Sequence, residues 1–313
     1  MTAAWTEAGG NVVGLAPSAA AAAALGGQID SHADTLAKLT WSLANNDKPD
    51  WVTAIGPTTL VIIDEAGMAD TLTLDAAVAH VLDRGGSVRL IGDDQQLAAI
   101  GAGGVLRDIA AEHGALRLDH VVRFTSPAEA DASLALRAGD TSALGYYLDH
   151  GRIHVADPDT AAISLIDAWL ADTRAGRDAL ILAPTRTLVA QLNEAARTAR
   201  LDGHPPGRET ALADGNRASS GDVVLTRRNN RTLTSGDTAW VRNGDRWRVT
   251  AVHPDGSLDV ANLRSRAHLT LPADYVAASV ELGYATTIHG AQGVTADTCH
   301  GLLTGTETRQ QLY

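Results

Sequence analysis

The fold is decided by the stretch Val61-Ile62-Ile63-Asp64-Glu65-Ala66-Gly67-Met68, in which a short apolar run ends abruptly in two carboxylates. The run has no polar alternation, which is typical of a strand buried on both faces of a parallel sheet. Two similar runs flank it, at Val12 to Leu15 and at Val88 to Ile91. Segments with the Ala and Leu spacing of helices lie between the runs, at Ser18 to Leu25 and at Leu74 to Leu82. This alternation predicts a doubly wound α/β domain.

The same pattern returns in the second half of the chain. Ala179 to Pro184 is an apolar run that leads into a helical stretch from Thr187 to Arg200, so strand, turn and helix follow one another again. Residues 221 to 272 differ, because Val and Leu alternate there with polar residues between Asn-Gly and Asp-Gly pairs. Such pairs are hairpin signals and predict a small β-barrel inserted into a second α/β domain.

These changes of pattern predict four segments. We expect a first domain over 1–128, the first part of a second domain over 129–214, the barrel over 215–275 and the rest of the second domain over 276–313. A linker is expected around Thr125 to Glu129.

Composition limits the classes of function. With 313 residues and 45% hydrophobic content, the chain can bury the cores of two domains. A net charge of -12 argues against a broad electrostatic surface for nucleic acid, although it leaves room for a local groove. The single cysteine, Cys299, excludes an internal disulfide and is interpreted as a core residue. Because neither a membrane-spanning run nor a secretory signal is present, we expect a cytoplasmic protein.

Asp64 and Glu65 are the first candidates for chemistry. They follow a buried strand at its carboxyl end, where doubly wound sheets bind their ligands. Asp64 would hold Mg²⁺ through water, and Glu65 would orient and deprotonate an attacking water. Taken alone, the pair is equally compatible with an acidic surface turn, because carboxylates are common where strands reach solvent.

Gln96 is the second candidate. The run Val88 to Ile91 ends in Gly92-Asp93-Asp94-Gln95-Gln96-Leu97, which places an amide at the same edge as the two carboxylates if the strands are neighbours. An amide can hydrogen-bond both a phosphate oxygen and a water, so Gln96 could sense a γ-phosphate. A plain polar turn is the alternative.

These motifs resemble a known family. Asp64 to Met68 resembles the Walker B motif, and Gly92 to Leu97 resembles motif III, of superfamily 1 DNA helicases of the RecD-like branch, closest to the helicase part of conjugative relaxases. Four further stretches follow in the family's order: Leu15 to Ser18 resembles motif Ia, Val122 to Phe124 motif IV, Leu182 to Arg186 the first strand and turn of the second lobe, and Tyr284 to Thr295 motif V.

The resemblance implies an ATP-dependent motor. Its fold would be two RecA-like P-loop NTPase lobes with an SH3-like β-barrel insertion in the second. The cofactors would be ATP and Mg²⁺, and the motor would track along single-stranded DNA in the 5′-to-3′ direction. An attached relaxase domain or the conjugation machinery would be its protein partners.

The resemblance also implies roles for seven more residues. Four would contact DNA: Ser18, Thr185, Thr287 and His289. Three would face the nucleotide: Arg123 at the γ-phosphate, and Gln292 and Gly293 in the cleft. Plainer roles stay open, namely helix N-caps for Ser18 and Thr185, packing or a turn for His289, and an ion pair for Arg123.

One motif of the family is absent from the sequence. A P-loop needs Gly-x-x-x-x-Gly-Lys-Ser/Thr, and the two lysines, Lys38 and Lys48, do not follow glycine. We expect the P-loop before Met1 and the motif VI arginine shortly after Tyr313, so that the chain is truncated or part of a longer protein. Without the P-loop strand, the first sheet would lack a central strand. Without the P-loop lysine, the chain would be deficient in ATP hydrolysis. The alternatives are a non-catalytic remnant that binds DNA or a partner, and an unrelated enzyme acting on small molecules.

Overall fold

The chain forms two compact units. The computed structural model describes residues 1–93, 96–97, 104–118, 124, 126–235, 239–292, 294–308 and 311. Residues 1–150 belong to the first unit and residues 151–308 to the second. The limits of the four segments expected from the sequence stay a prediction.

A parallel sheet forms the centre of the first unit. Its strands are β1 (Asn11–Ala16), β2 (Ala33–Thr35), β3 (Thr59–Ile63) and β4 (Ser87–Leu90), in the order β2-β1-β3-β4. All three predicted strands are therefore present, and all neighbours run parallel. Every residue of β3 is buried, as its uninterrupted apolar run predicts.

The first unit also contains helices. They are α1 (Thr2–Glu7), α2 (Ala19–Ile29), α3 (Leu36–Ala44), α4 (Asp50–Thr53), α5 (Thr71–Asp83), α6 (Val105–His113), α7 (Pro127–Ala138) and α8 (Ala143–Asp149). Two of them, α2 and α5, were expected from the sequence. Residues 126–129 were expected to be a linker, but they begin α7: Ser126 accepts a hydrogen bond from Glu129 N, and Pro127 occupies the first turn. Ser-Pro-x-Glu is a sequence that starts helices, which is why the linker expectation is wrong.

The strand β4 is the most exposed strand of the sheet. It pairs with β3, and among the described residues no strand pairs with its other side. Its residues are partly exposed, and Ile91 just after it is 43% exposed. Within the described part of the first unit, the sheet therefore ends at β4.

The second unit starts with a strand between two helices, α9 (Pro158–Arg174), β5 (Ala179–Ala183) and α10 (Arg186–Leu201). The strand and α10 are present as predicted. The indole of Trp169, which is 2% exposed, donates from Nε1 to the Ala179 carbonyl at 3.1 Å and so ties α9 to the start of β5.

Antiparallel strands follow. They are β6 (Glu209–Ala211), β7 (Arg217–Ser219), β8 (Val223–Thr226), β9 (Asn230–Ser235), β10 (Ala239–Val241), β11 (Arg246–Val252), β12 (Leu258–Asn262), β13 (His268–Leu271) and, after the helix α11 (Ala273–Ser279), β14 (Val280–Leu282). Five of them form one sheet in the order β13-β12-β11-β8-β14. In β11, Trp247 and Val249 are buried while Arg248 and Thr250 are exposed, the alternation expected of a half-buried strand.

The chain then returns to parallel strands, β15 (Ala285–Thr287) and β16 (Thr298–Gly301), on either side of β5. The expectation that Cys299 lies in the core is wrong: it is exposed, because β16 is an edge strand of this three-stranded sheet. No helix in the described part of the chain is both long enough and apolar enough to cross a membrane.

Candidate functional site

The turn after β3 fixes two carboxylates. Asp64 N donates to the Leu15 carbonyl of β1 at 2.9 Å, and Asp64 Oδ1 accepts from Glu65 N at 2.9 Å. Glu65 has φ +51°, the left-handed region that is rare for residues other than glycine. Such a conformation costs on the order of 1 kcal/mol, and such residues cluster at functional sites. Asp64 and Glu65 are both half-buried at the carboxyl edge of the sheet.

Two glycines let the turns after β3 and β4 touch. A Cβ atom on Gly67 would lie 3.0 Å from the Asp93 carbonyl oxygen, and one on Gly92 would lie 3.0 Å from Ala66 N. Ala66 N also donates to the Ile91 carbonyl at 2.9 Å. The two turns are thus in backbone contact, at the carboxyl edge of the sheet where the sequence predicted both of them. A side chain at either glycine would push them apart.

Gln96 is held by a carboxylate in this second turn. Its Nε2 donates to Asp93 Oδ2 at 3.4 Å, and Asp93 Oδ1 accepts from Nη2 of Arg137, on α7, at 2.6 Å. The side chains of Asp93 and Arg137 are only 19% and 28% exposed. Sequence reasoning missed both as site residues. Asp93 could have been found, because it is the first acid after β4, whereas nothing in the sequence connects Arg137 to it.

Ser18 and Thr185 are helix N-caps. Ser18 Oγ accepts from Ala21 N at 3.1 Å, and Thr185 Oγ1 accepts from Leu188 N at 3.3 Å. The plainer role left open by the sequence is therefore present. An accepting hydroxyl keeps its own O–H to donate to a phosphate, and a helix N-terminus attracts anions. Both side chains are exposed.

The turn after β15 places Thr287, His289 and Gln292. Thr287 Oγ1 accepts from Gly290 N at 3.0 Å, and a Cβ atom on Gly290 would lie 2.9 Å from that same oxygen. His289 is half-buried in a 3₁₀ turn, and Gln292 follows the turn. Because β5 and β15 are neighbouring parallel strands, Thr185 and Thr287 lie at the same sheet edge.

A buried amide positions the start of β15. Asn193, on α10, is 1% exposed. Its Oδ1 accepts from Tyr284 N at 3.0 Å and from Ala285 N at 2.8 Å, and its Nδ2 donates to the Ala285 carbonyl at 3.3 Å. Sequence reasoning missed Asn193. The signal was available, because this polar residue stands on the apolar face of α10 beside Leu192.

A buried carboxylate joins the start of the barrel to the same segment. Asp222 is 0% exposed and accepts hydrogen bonds from the Tyr284 hydroxyl at 2.5 Å, from Arg197 Nε at 2.9 Å and from Ser219 N at 2.7 Å. Burial by itself raises a carboxyl pKa, but the hydrogen bonds from Tyr284 and Arg197 hold the pKa of Asp222 below its usual value. Burial beside this carboxylate raises the pKa of Tyr284.

Each sheet edge therefore gathers part of the candidate site. Ser18, Asp64, Glu65 and Gln96 follow strands of the first unit. Thr185, Thr287, His289 and Gln292 follow strands of the second unit. Arg123 and Gly293 lie outside the described residues.

A family model described as AAA domain matches residues 1–158, just over half of the 313 residues. The chain belongs to the AAA domain family. A second family model, described as Rv2311 SH3-like barrel domain, matches residues 210–281 of this AAA domain chain.

Relatives of this AAA domain chain include conjugal transfer proteins. The probable conjugal transfer protein TraA of Sinorhizobium fredii is 29% identical over 94% of this chain and 26% of that protein. Conjugal transfer protein TraA of Agrobacterium fabrum is 31% identical over the same 94% of this chain and 26% of its own length. The chain thus spans about a quarter of the length of these relatives.

A solved structure shares the fold. A chain from a study of DNA unwinding at forked dsDNA by two coordinating Pif1 helicases has a TM-score of 0.62 and 18% identity, over 99% of this chain and 81% of that chain. The predicted fold class is confirmed: α/β, with RecA-like lobes and an SH3-like barrel in the second. The predicted relation of the AAA domain chain to superfamily 1 helicases and conjugative relaxases is confirmed as well.

Proposed function

We propose that residues 1–313 are the motor segment of an ATP-dependent DNA helicase or translocase. The backbone contact between the turns after β3 and β4 carries this proposal, because it sets Glu65 and Gln96 on adjoining turns at one edge of the sheet. A carboxylate that activates water and an amide that senses the phosphate need such proximity.

The residues would divide the chemistry as follows. Asp64, whose Oδ1 is fixed by Glu65 N, would hold Mg²⁺ through water. The ion would neutralise charge on the phosphate oxygens when bound. Glu65 would take the proton from the attacking water, and Gln96, held by Asp93, would hydrogen-bond that water or a phosphate oxygen. Arg123, Gln292 and Gly293 are proposed to face the nucleotide.

The donor set fits only part of a nucleotide site. The carboxylates suit a hydrated Mg²⁺, which takes one or two carboxylates besides waters and phosphate oxygens. Residues 1–313 contain no Gly-x-x-x-x-Gly-Lys to hold the β- and γ-phosphates. These residues would therefore act on a phosphate that other residues hold.

Single-stranded DNA is the proposed substrate. Ser18, Thr185, Thr287 and His289 would contact its backbone at the two sheet edges. The exposed hydroxyls of Ser18 and Thr185 suit contacts that do not read sequence. Tracking in the 5′-to-3′ direction, an attached relaxase domain or conjugation machinery as partner, and a cytoplasmic location belong to the same proposal. The conjugal transfer proteins among the relatives support the link to conjugation.

The test is ATP hydrolysis by the product of the open reading frame that contains residues 1–313. We expect single-stranded oligonucleotide to stimulate phosphate release, and Glu65→Gln to lower the rate at least about a hundredfold, the usual contribution of a general base. Glu112→Gln is the control, because Glu112 is 77% exposed on α6. Phosphate release that DNA does not stimulate, or that survives Glu65→Gln, would contradict the proposal.

A second candidate function follows from the missing lysine motif. The 313-residue polypeptide alone would bind DNA or a partner without hydrolysing ATP, since nothing in its sequence can form the phosphate loop. We expect negligible phosphate release from this polypeptide in the presence of single-stranded DNA. Release that rises with DNA and disappears in Glu65→Gln would show that the polypeptide is an ATPase by itself.

A further inference from the structure

A basic pocket of about 210 Å³ lies in the second unit. It lies at the edge of the parallel sheet where β5 begins, opposite the edge that carries Thr185 and Thr287. Residues 176–179, which lead into β5, line it, together with residues of the barrel. The five residues of β5 separate the two edges by about 16 Å at the usual rise per residue. Five arginines line the pocket: Arg177, Arg200, Arg246, Arg248 and Arg266.

Carboxylates compensate two of these arginines directly. Arg246 Nη1 lies 2.9 Å from Asp178 Oδ1, and Asp178 is the one carboxylate among the residues that line the pocket. Arg177 forms an ion pair with Asp172. The neighbouring Thr298 hydroxyl and Arg177 guanidinium lower the pKa of Asp172 to about 2, so that its charge is kept at any physiological pH.

Arg200 is only partly compensated. It shares the buried carboxylate of Asp222 with Arg197. Arg200 Nε donates to Asp222 Oδ1 at 3.0 Å, and its Nη2 lies 2.7 Å from the same oxygen, although within the described chain this buried nitrogen makes no hydrogen bond of its own.

Arg248 and Arg266 carry the uncompensated charge. Arg248 Nη1 donates to the Gly221 carbonyl at 3.4 Å, which leaves its charge in place. For the residues that the structure describes, neither arginine has a carboxylate within ion-pair distance. Both side chains are exposed, and Arg266 stands in a turn with φ +61°. The pocket therefore has an excess of positive charge in a chain whose net charge is -12.

We propose that this pocket binds a phosphate group. Guanidinium groups match the geometry of phosphate oxygens and bind them with two parallel hydrogen bonds. A volume of about 210 Å³ is smaller than the roughly 300–1,000 Å³ of pockets for drug-sized ligands, so it suits one phosphate rather than a whole nucleoside triphosphate. The phosphate would come from a DNA backbone passing beside the barrel or from a free anion.

The experiment removes the two uncompensated charges. Arg248→Gln and Arg266→Asn are made in the 313-residue chain, since asparagine tolerates positive φ. Arg217→Gln is the matched control, because it removes one charge from the same unit at a side chain that is 56% exposed and does not line the pocket. Inorganic phosphate is titrated by calorimetry, and a single-stranded oligo-dT by fluorescence anisotropy over a series of salt concentrations.

We expect each pocket variant to bind inorganic phosphate about tenfold more weakly than the control, the worth of one charge-assisted hydrogen bond. If the phosphate belongs to DNA, oligo-dT binding weakens too, and the slope of log affinity against log salt falls by about 0.7 per arginine removed. If only inorganic phosphate binding weakens, the pocket serves a free anion.

Phosphate affinities equal to the control in both variants, or no phosphate binding by the unmodified chain, would overturn the proposal. Circular dichroism and thermal unfolding check that each variant is folded. Arg248→Lys keeps the positive charge but loses the two parallel N–H donors of the guanidinium group, so this variant is expected to bind phosphate with intermediate affinity. The readout is independent of ATP hydrolysis. Failure of the proposed motor function at Glu65 therefore leaves the phosphate titration interpretable, and the reverse also holds.

Discussion

The hydroxyl of Tyr284 donates a 2.5 Å hydrogen bond to the buried carboxylate of Asp222. Tyr284 immediately precedes β15, and Asp222 immediately precedes β8 at the start of the barrel. Since Tyr284 N is also held by Asn193 on α10, one tyrosine connects the barrel, the parallel sheet and a helix. The turn that carries Thr287 and His289 thus depends on contacts made well away from it.

Asp222→Asn should destabilise the second unit by about 3 kcal/mol at neutral pH, because it removes the charge that Arg197 and Arg200 share. The folded pKa of Asp222 is lowered from 3.8, so its stabilisation is complete above that value and is lost as the pH falls through the lower folded value. Urea unfolding at neutral pH and below pH 3.8 should show the difference between wild type and variant shrinking in acid. Asp202→Asn, at a 69% exposed ion pair, serves as control, and an equal loss in both variants would contradict this expectation.

Asn193→Ala should lower the free energy of unfolding by about 3 kcal/mol, because three backbone groups of Tyr284 and Ala285 lose their partner in a buried site. Asn243→Ala, at an exposed position in the same unit, should change it by less than about 0.5 kcal/mol. Chemical denaturation followed by circular dichroism measures both. A small effect at Asn193 would mean that water replaces the amide.

The Asp93–Arg137 pair should show a coupling energy of about 1 kcal/mol in a double-mutant cycle of Asp93→Ala and Arg137→Ala, because the 2.6 Å contact is largely shielded from solvent. The Lys38–Asp47 pair is the control. Its atoms are 4.0 Å apart and Asp47 is 67% exposed, so its coupling should be close to zero. Equal coupling energies in the two pairs would mean that Arg137 does not fix Asp93, and would therefore argue against a role for Arg137 in positioning Gln96 through Asp93.

Gly290→Ala should destabilise the second unit by about 1–3 kcal/mol, since the new methyl group would lie 2.8 Å from Thr286 Oγ1 and 2.9 Å from Thr287 Oγ1. Gly301→Ala, where a Cβ atom meets nothing within 4 Å, should be tolerated. Thermal unfolding and oligo-dT anisotropy report stability and DNA binding. Tolerance of Ala at residue 290 would mean that the turn after β15 can rearrange.

Features that rest on continuous sequence patterns were predictable. The runs that became β1, β3 and β5 are almost wholly apolar because both faces of a parallel sheet are buried, whereas the run that became β4 contains Arg89 and is only partly buried. The strand β2 escaped notice because it has three residues, one of them Asp34. The residues that hold the site in place could not be predicted for another reason. The fold brings Arg137 to Asp93 across 44 residues of sequence, and Tyr284 to Asp222 across 62, and no local sequence pattern encodes contacts over such separations.

Among the described residues, the outer side of β4 has no strand partner, which has a consequence for the polypeptide in solution. Ile91 N donates to the Ile63 carbonyl of β3, so the alternation of a strand directs the backbone groups of Val88 and Leu90 outward. Unpaired ladder groups are a template for strand addition between copies. Arg89 limits this, because its Nη1 donates to the outward Val88 carbonyl at 2.8 Å and puts a charge at the edge. Self-association of the purified chain, read from a sedimentation coefficient that rises with concentration, should therefore increase in Arg89→Ala.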